Sequence, residues 1–223
     1  MTCPLLESLP LEDRDRILGA ARRRHYKRGE IVFHEGDLGD CLHLVESGIF
    51  SVHVSAPTGD TVTLNVLTAG DFFGELALLH GEQTPRRTAT ITALAPARTL
   101  TVSGVDFNAL RSSWPSVESL VVAALAHRVD QLSTRLLEAL YVGVDRRVYQ
   151  RLLELAETCR SSSPPTTIPV SQSDLATMAG ASRPTVNQVL QKLEARGIVA
   201  LGRREITIVD LAGLRAATPQ LDA

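Results

Sequence analysis

The sequence predicts an α+β fold in which an antiparallel β-roll, or jelly roll, comes first and helices follow. Two patterns lead to this prediction. From Tyr26 to Val105, short runs of alternating apolar and polar residues are separated by glycines, which is typical of short strands joined by turns. From Ser116 to about Val142, the spacing of apolar residues becomes helical. A chain of 223 residues has room for two domains of ordinary size.

The N-terminal part is predicted to begin with a short helix from Pro10 to Ala21 and to continue as strands such as IVFHE and TVTLNVL. Glycines fall between the strand-like runs, where a turn or bend favours a residue without a Cβ atom. These glycines are Gly29, Gly36, Gly39, Gly48, Gly59 and Gly70. We therefore expect an antiparallel β-roll over residues 1–115.

The long helix predicted over residues 116–142 carries an apolar stripe. Its members are Val122, Leu125, Val129, Leu132, Leu136 and Ala139. They alternate in spacing between three and four residues, and a stripe of this kind needs an apolar partner. The partner is either the β-roll of the same chain or the same helix of a second copy, which would give a two-fold dimer.

Composition is that of an ordinary globular protein, with 44% hydrophobic and 22% charged residues. The three cysteines, Cys3, Cys41 and Cys159, do not have the spacing of a disulfide framework or a zinc site, and no metal is predicted. No apolar run reaches the roughly 18 residues of a membrane span, and the N-terminus lacks a secretory signal pattern. We expect a cytoplasmic protein.

Residues 171–196 have the pattern of a helix-turn-helix. Ser171 is the expected N-cap of a first short helix, Gly180 lies in the turn, and Ser182 is the expected N-cap of a second helix. Pro184 falls at an early helical position, where its missing N–H group has no intrahelical partner. The pattern predicts DNA binding, with the second helix in the major groove and Ser171 among the contacting residues.

Local charge supports this prediction more than net charge does. The formal net charge is −2, which argues against indiscriminate coating of nucleic acid. Between residues 181 and 204, however, the only acid is Glu194, and the basic residues are Arg183, Lys192, Arg196, Arg203 and Arg204. A basic patch on a slightly acidic chain suits a protein that binds selected sites.

The start of the second helix holds the predicted DNA contacts. Arg183 is placed for a bidentate contact to guanine, although a phosphate contact is the alternative. Ser182 and Thr185 are placed for phosphate. Gln188, one turn further on, is a candidate for reading a base edge, and Asn187 is a secondary one.

Residues 143–223 are predicted to form the DNA-binding domain. Gly143 interrupts the long helix, and Asp145 is the expected cap of the next one. The segment RSSSPPTTIPVS is predicted as a surface loop. After the helix-turn-helix, GIVALGRREITIVD predicts a two-stranded wing with Arg203 and Arg204 at its tip, placed for backbone phosphate.

The segment from Asp71 to Ala93 has residues suited to binding a phosphate and a sugar. Arg87 is a forked cation for phosphate, and Gly74 allows backbone N–H groups to approach closely. Glu75 supplies a carboxylate for a ribose hydroxyl, and Thr88 supplies a hydroxyl. The segment resembles the phosphate-binding cassette of the cyclic-nucleotide-binding fold in the cAMP receptor protein/FNR family of bacterial transcription regulators. The run KRGEIVFHEGDLGDCLHLVESGIFSVHV resembles the family's opening strands and glycine turns.

This resemblance implies an allosteric homodimer that binds cAMP or a related cyclic purine nucleotide. It assigns Arg87 to the cyclic phosphate, Thr88 and the backbone around Gly74 and Leu76 to the phosphate oxygens, and Glu75 to the ribose 2′-hydroxyl. Alignment of the long helices puts Leu132 and Ser133 where the cAMP receptor protein has a Thr-Ser pair against adenine. It further implies an inverted-repeat operator and contact with RNA polymerase.

The chain departs from the cAMP receptor protein in the reading helix. That protein has an Arg-Glu pair and a further Arg one turn on, whereas this chain has Arg183, Pro184 and Gln188. We therefore expect a different operator sequence.

Three other functions remain as alternatives. One is a regulator of the same family that is ligand-independent or senses another effector, with the roll as a dimerisation scaffold. A second is a haem sensor, which would need ligands from His34, His43 or His53, although their spacing is typical of strand residues. An iron–sulfur sensor needs more cysteines than Cys3. The third is an enzyme, but no catalytic motif is present and no catalytic residue is predicted.

Overall fold

The computed structural model describes residue 7 and residues 9–79, 85–159 and 165–218. The chain divides into two compact units. The first contains residues 1–59 and 64–132, and the second contains residues 60–63 and 133–223. Cys3 lies outside the described residues.

The first unit is an antiparallel β-roll with helices at both ends of its sequence. Its elements in chain order are α1 (Leu11–Ala20), β1 (Arg22–Tyr26), β2 (Ile31–Phe33), β3 (Cys41–Ser47), β4 (Phe50–Ser55), the greater part of β5 (Thr61–Leu67), β6 (Phe72–Phe73), α2 (Glu75–Leu79), β7 (Thr90–Ala93), β8 (Ala97–Ser103), α3 (Gly104–Ser113) and the start of α4 (Pro115–Tyr141). One sheet has the strand order β1-β8-β3-β6 and the other β2-β7-β4-β5. The predicted β-roll is confirmed.

Glycines make the turns of the roll. Gly29, Gly36, Gly48, Gly59 and Gly70 have φ between 80° and 98°, a region that other residues rarely adopt. At Gly48 space also excludes a side chain, because a Cβ atom would lie 2.4 Å from the Cβ of Ala97. The alternation of strands and glycines in the sequence therefore has a direct conformational cause.

Two apolar clusters hold the first unit together. One lies between the β3–β8 sheet and the helices, and it includes Leu42, Leu44, Leu100, Phe107, Val117 and Val121. The other fills the roll, and it includes Val45, Phe50, Leu67, Phe73, Ile91 and Ala93. Helix α4 is thereby fixed to the roll through Val117 and Val121, which are almost completely buried.

The predicted apolar stripe of α4 lies largely on another face. Val122, Val129, Leu132 and Leu136 are 57%, 61%, 44% and 60% exposed, respectively. Leu125 is half-buried and packs at the edge of the helix–sheet cluster. The roll of the same chain therefore does not cover most of this stripe.

The second unit consists of helices around a small sheet. Its elements after α4 are α5 (Val144–Thr158), β9 (Thr166–Ile168), α6 (Gln172–Ala179), α7 (Arg183–Ala195), β10 (Val199–Gly202), β11 (Glu205–Ile208) and α8 (Leu211–Ala216). The strand order is β10-β11-β9. Its core includes the fully buried Leu152, Ile168, Leu175, Leu190, Leu193 and Ile206.

Two details of the second unit differ from the sequence predictions. Thr166–Ile168, placed in the surface loop, forms strand β9 because Ile168 pairs with Ile206 of β11 and is buried. Residues 160–164 of that loop lie outside the described residues. Gly143, not Asp145, is the N-cap residue of α5, and Asp145 lies in the first turn.

Within the described part of the chain, no helix combines the length and apolar character needed to cross a bilayer.

Candidate functional sites

A cavity of about 530 Å³ lies in the first unit, beside α2, the β-roll and α4. Residues of the predicted phosphate-and-sugar segment form one part of its wall: Gly74, Glu75, Leu76, Arg87 and Thr88. Residues of α4 form another part: Leu125, Arg128, Val129, Gln131 and Leu132. The space is sufficient for a small-molecule ligand.

Arg87 is a buried cation on the cavity wall, only 4% exposed. Its Nη1 donates to the carbonyl oxygens of Cys41 at 2.8 Å and Gly74 at 3.0 Å, and its Nη2 donates to the Sγ of Cys41 at 3.3 Å. The guanidinium also lies over the ring of Phe33, 4.2 Å from the centroid. Its Nε is buried and has no hydrogen-bond partner among the described residues.

Two glycines near Arg87 have no space for a side chain. Gly74 has φ 89°, and a Cβ atom there would lie 2.5 Å from the Nη1 of Arg87. A Cβ atom at Gly39 would lie 2.4 Å from the Cβ of Ala77 and 3.4 Å from the Nε of Arg87. Gly74 is therefore required if the guanidinium is to keep this place, whereas at Gly39 it is Ala77 that leaves no room for a side chain.

Glu75 is a buried anion on the same wall, only 1% exposed. Its Oε1 accepts a hydrogen bond from the Nη1 of Arg128, which also donates through Nη2 to the carbonyl oxygen of Phe72. Its Oε2 is buried and has no partner among the described residues. Burial raises the pKa of Glu75, and the positive charge of Arg128 opposes this shift.

The cavity wall formed by β5 and α4 is mostly apolar. Leu64, Leu67, Leu125, Val129 and Leu132 line it. Two neutral polar side chains, Asn65 and Gln131, lie among them. Such a wall suits a flat ring system with a few polar edges.

The predicted ligand residues are mostly brought together. Gly74, Glu75, Leu76, Arg87, Thr88 and Leu132 all line the cavity, whereas Ser133 is not among its lining residues. Sequence reasoning missed Arg128, Gln131 and Asn65. The sequence did contain a signal for two of them. Arg128 and Gln131 lie one helical turn apart on α4, directly before Leu132, which was itself predicted to contact the ligand.

The helix-turn-helix has the expected caps. The hydroxyl of Ser171 accepts from the N–H of Asp174 at 3.1 Å, and the N–H of Ser171 donates to the carboxylate of Asp174 at 2.7 Å, which is a complete capping box. Gly180 ends α6 with φ 58°. Ser182 caps α7 by accepting from the N–H of Thr185 at 3.3 Å.

Helix α7 has one buried and one exposed face. Val186, Val189, Leu190 and Leu193 are buried. Ser182, Arg183 and Gln188 are exposed, and Thr185 and Asn187 are half-buried. The hydroxyls of Ser182 and Thr185 are 2.8 Å apart, so each is partly used in capping the helix.

The wing is a tight hairpin. Gly202 pairs with Glu205, so Arg203 and Arg204 form its two-residue turn, and both are exposed. Arg204 is the only non-glycine residue with positive φ among the described residues, at 66°. The hairpin places both arginines at its tip, as the sequence predicted, and β11 also pairs with β9.

A β-roll with a ligand-sized cavity beside it and a winged helix-turn-helix occur in one chain, which is the arrangement expected of a DNA-binding regulator that responds to a small molecule. Residues 23–113 match the family model of the cyclic nucleotide-binding domain, and residues 146–217 match that of the Crp-like helix-turn-helix domain. The chain belongs to the cAMP receptor protein/FNR family of transcriptional regulators.

Known relatives extend over most of the chain. The cyclic AMP receptor protein of Thermus thermophilus is 33% identical over 213 residues, which are 94% of each chain. A CRP-like cAMP-activated global transcriptional regulator of Mycobacterium tuberculosis is 31% identical over 83% of each chain. The structure of the c-di-GMP responsive global regulator CLP of Xanthomonas campestris has the same fold, with a TM-score of 0.76, 22% identity and coverage of 90% of this chain and 99% of that chain. These relatives are transcriptional regulators rather than enzymes.

Proposed function

We propose that the chain is a homodimeric, sequence-specific regulator whose affinity for DNA is controlled by cAMP or a related cyclic purine nucleotide in the β-roll cavity. The observation that carries the proposal is a pair of buried, unpartnered polar atoms on one cavity wall, the Nε of Arg87 and the Oε2 of Glu75. These atoms have no partner among the described residues, and a buried polar group without a partner is costly.

A cyclic nucleotide would satisfy both atoms. Its phosphate can accept from the Nε of Arg87, whose guanidinium has the exposed carboxylate of Asp40 at 3.9 Å from Nη2, and its ribose 2′-hydroxyl can donate to the Oε2 of Glu75. Thr88 and the backbone near Gly74 and Leu76 would complete the phosphate site, and the apolar wall with Leu132 would pack against the base. Ser133, the other predicted base contact, does not line the cavity of its own chain, so this proposal gives it no direct contact with the base there.

The exposed stripe of α4 supports a homodimer. Val122, Val129, Leu132 and Leu136 together present an apolar strip that the described residues leave exposed. Members of the family are dimeric, and a second copy of the same helix fits an a/d stripe. In this proposal residues 1–115 bind the nucleotide, residues 116–142 dimerise and residues 143–223 bind DNA.

The start of α7 is proposed to read the operator. Arg183 and Gln188, both exposed, would contact base edges, with Asn187 as a secondary reader. Ser171, Ser182 and Thr185 would contact phosphates from the helix starts, and Arg203 and Arg204 would do so from the wing. RNA polymerase is the further partner that a regulator of this family would meet.

The names of two relatives support cAMP as the effector. The name of a structural neighbour, CLP, shows that this fold also serves a regulator that responds to c-di-GMP. A regulator of the same family that senses another effector, or none, is therefore the second candidate. The observation that favours this second candidate is that Leu132, an apolar residue, lines the cavity where the base of the nucleotide would lie.

Isothermal titration calorimetry of the full chain with cAMP, cGMP and c-di-GMP tests the proposal. We expect cAMP to bind the wild type and Arg87→Gln to lose at least about tenfold in affinity, because a phosphate would then be left without its charged partner. Arg86→Gln is the matched control, since the adjacent Arg86 is exposed and donates to the carbonyl oxygen of Gly36.

Mobility-shift titration on genomic fragments then measures the response to the ligand. We expect cAMP to increase the affinity of the wild type and of Arg86→Gln for a subset of fragments, and to have little effect on Arg87→Gln. Binding heat from c-di-GMP alone would favour the second effector. No heat from any nucleotide, with DNA binding unchanged, would support the ligand-independent candidate and reject control by a cyclic nucleotide.

A further inference from the structure

We propose that Gln131 selects the base by reading the substituent at carbon 6 of the purine, and that His127 is the positioning residue that fixes its carboxamide. This inference rests on the proposed function, because it concerns the base of a nucleotide in the same cavity. The residue pair lies on α4, within the first unit.

Gln131 is in the right place for the base. Arg128, its neighbour one turn earlier on α4, bonds to Glu75, which marks the ribose end of the proposed ligand. Three residues of helix advance about 4.5 Å along the axis, so Gln131 lies about one turn beyond the ribose. Around it the cavity wall is apolar, with Val129 and Leu132 on the same helix.

Gln131 is also part of a partition between two cavities. A second cavity of about 310 Å³ lies next to the first, and Asn65, Leu67, Arg128 and Gln131 line both. His127 lines only the second cavity. The carboxamide of Gln131 therefore has the proposed ligand on one side and His127 on the other.

The contact with His127 orients the carboxamide. The Nε2 of Gln131 lies 3.0 Å from the Nε2 of His127, so with the imidazole proton on Nδ1 the amide donates to the ring. In this proposal the Oε1 of Gln131 is the atom that meets the ligand, and an amide oxygen can only accept. An acceptor matches the 6-amino group of adenine and opposes the 6-oxo group of hypoxanthine or guanine.

Asn65 complements this contact without discriminating. Its Oδ1 accepts from the N–H of Val66 at 2.8 Å, which leaves its Nδ2 group as a donor. Nitrogen 7 of every purine is an acceptor, so a donor at this position serves adenine, hypoxanthine and guanine alike. Selection at carbon 6 therefore falls to Gln131.

Calorimetry with cAMP, cIMP and cGMP tests the inference, because cIMP differs from cAMP in the carbon 6 substituent and cGMP differs from cIMP only at carbon 2. For the wild type we expect cAMP to bind about tenfold more tightly than cIMP, the effect of one well-placed hydrogen-bonding contact to a base. For Gln131→Leu we expect the ratio to fall to about twofold or less, with affinity for cIMP changed by less than about threefold.

Two further variants separate reading from folding. His127→Leu retains Gln131 but frees its carboxamide to turn, so we expect the cAMP-to-cIMP ratio to narrow while the thermal midpoint stays near that of the wild type. Gln191→Leu makes the same change as Gln131→Leu at an exposed position on α7, outside the proposed DNA contacts, and should leave the ratio unchanged.

The possible results are distinguishable. A wild-type ratio near one, or a Gln131→Leu variant that keeps the wild-type ratio or loses all three ligands equally, overturns the inference and leaves the proposed function standing. Absence of binding heat for all three nucleotides with the wild type overturns both.

Discussion

His43 is a titratable residue within the core of the β-roll, on strand β3. Its ring stacks on Phe73, with centroids 4.8 Å apart and 5° between the ring planes, and its Nδ1 lies 3.2 Å from the Oγ1 of Thr99. Burial, together with the positive charge of Arg87, lowers the pKa of His43 to about 3. A neutral imidazole therefore packs near Arg87 without adding a second positive charge.

This burial predicts a specific loss of stability in acid. The usual pKa of histidine is 6.5 and that of folded His43 is about 3, so between these values the unfolded chain binds a proton that the folded chain does not. The contribution of neutral His43 to the free energy of unfolding is therefore fully present above about pH 6.5. Between that pH and the folded pKa it falls by about 1.4 kcal/mol for each pH unit.

Urea unfolding of the nucleotide-free protein at pH 7 and pH 5 measures the effect. The wild type should lose about 2 kcal/mol more between these values than His43→Phe, whose ring can retain the stacking. His34→Phe serves as the control, because His34 is exposed. Equal losses in the wild type and His43→Phe would show that His43 titrates in the folded protein as in the unfolded one.

Residues of the candidate site differ in how far sequence could predict them. Gly74, Glu75 and Arg87 lie close together in sequence, and their chemistry was sufficient to predict a phosphate-and-sugar site. Arg128 and Gln131 lie about 40 residues or more further along, and only the packing of α4 against the roll brings them to the cavity. The apolar stripe of α4 does not include them, because both are polar.

At the scale of elements, Arg147 joins the end of α4 to the helix-turn-helix. Its Nη1 donates to the carbonyl oxygens of Ala139 at 3.2 Å and Val142 at 3.1 Å, in the last turn of α4 and just beyond it. Its Nε donates to the carbonyl oxygen of Ala179 at 2.9 Å, and its Nη2 donates to the carbonyl oxygen of Gly180 at 3.2 Å, both at the end of α6. One guanidinium thus satisfies carbonyl groups that two helix ends leave without partners.

We expect Arg147→Met to destabilise the second unit by about 2 kcal/mol, because hydrogen bonds from a charged donor contribute about 1.5–3 kcal/mol. Arg147→Lys should recover little of this, since an ammonium group cannot span all four carbonyls. Chemical unfolding followed by far-ultraviolet circular dichroism measures the loss, with Arg146→Met as the matched control. A loss in Arg146→Met equal to that in Arg147→Met would contradict the assigned role.

Elements with a strong repeating pattern were predicted well, and short ones were not. The alternation in the roll and the a/d stripe of α4 correspond to the observed strands and helix. Strand β9 has only three residues and follows a Ser/Pro-rich segment, so its sequence has too few positions to show alternation. It forms a strand because it pairs with the edge of β11. This pairing joins residues about 40 apart, so the local sequence does not indicate it.

At the scale of the whole molecule, the exposed stripe of α4 makes dimerisation testable. Leu136 lies on the stripe and Leu137 next to it, and they are 60% and 58% exposed. We expect Leu136→Glu to shift the protein from dimer to monomer at micromolar concentration and Leu137→Glu to have a much smaller effect, because only the first places a charge in the proposed seam. Light scattering coupled to gel filtration gives the mass of each.

The same pair of variants tests the form of the operator. A two-fold dimer would place two copies of α7 about 34 Å apart, one turn of B-DNA, and so require an inverted repeat. Leu136→Glu should therefore lose most of its affinity for an inverted repeat and bind it no better than a single half-site, whereas Leu137→Glu should keep the preference. If Leu136→Glu remains a dimer with full affinity for the repeat, the seam lies elsewhere.

Helix α4 runs without interruption from Pro115 to Tyr141, whereas the boundary between the two compact units falls inside it, after Leu132. A hybrid regulator that takes its DNA-binding part from another family member must therefore be joined within a continuous helix. Each residue added or removed there rotates everything downstream by about 100°, whereas one added heptad changes the rotation by only about 20° while extending the seam. Functional hybrids should consequently tolerate changes in sequence at this junction far better than changes in length.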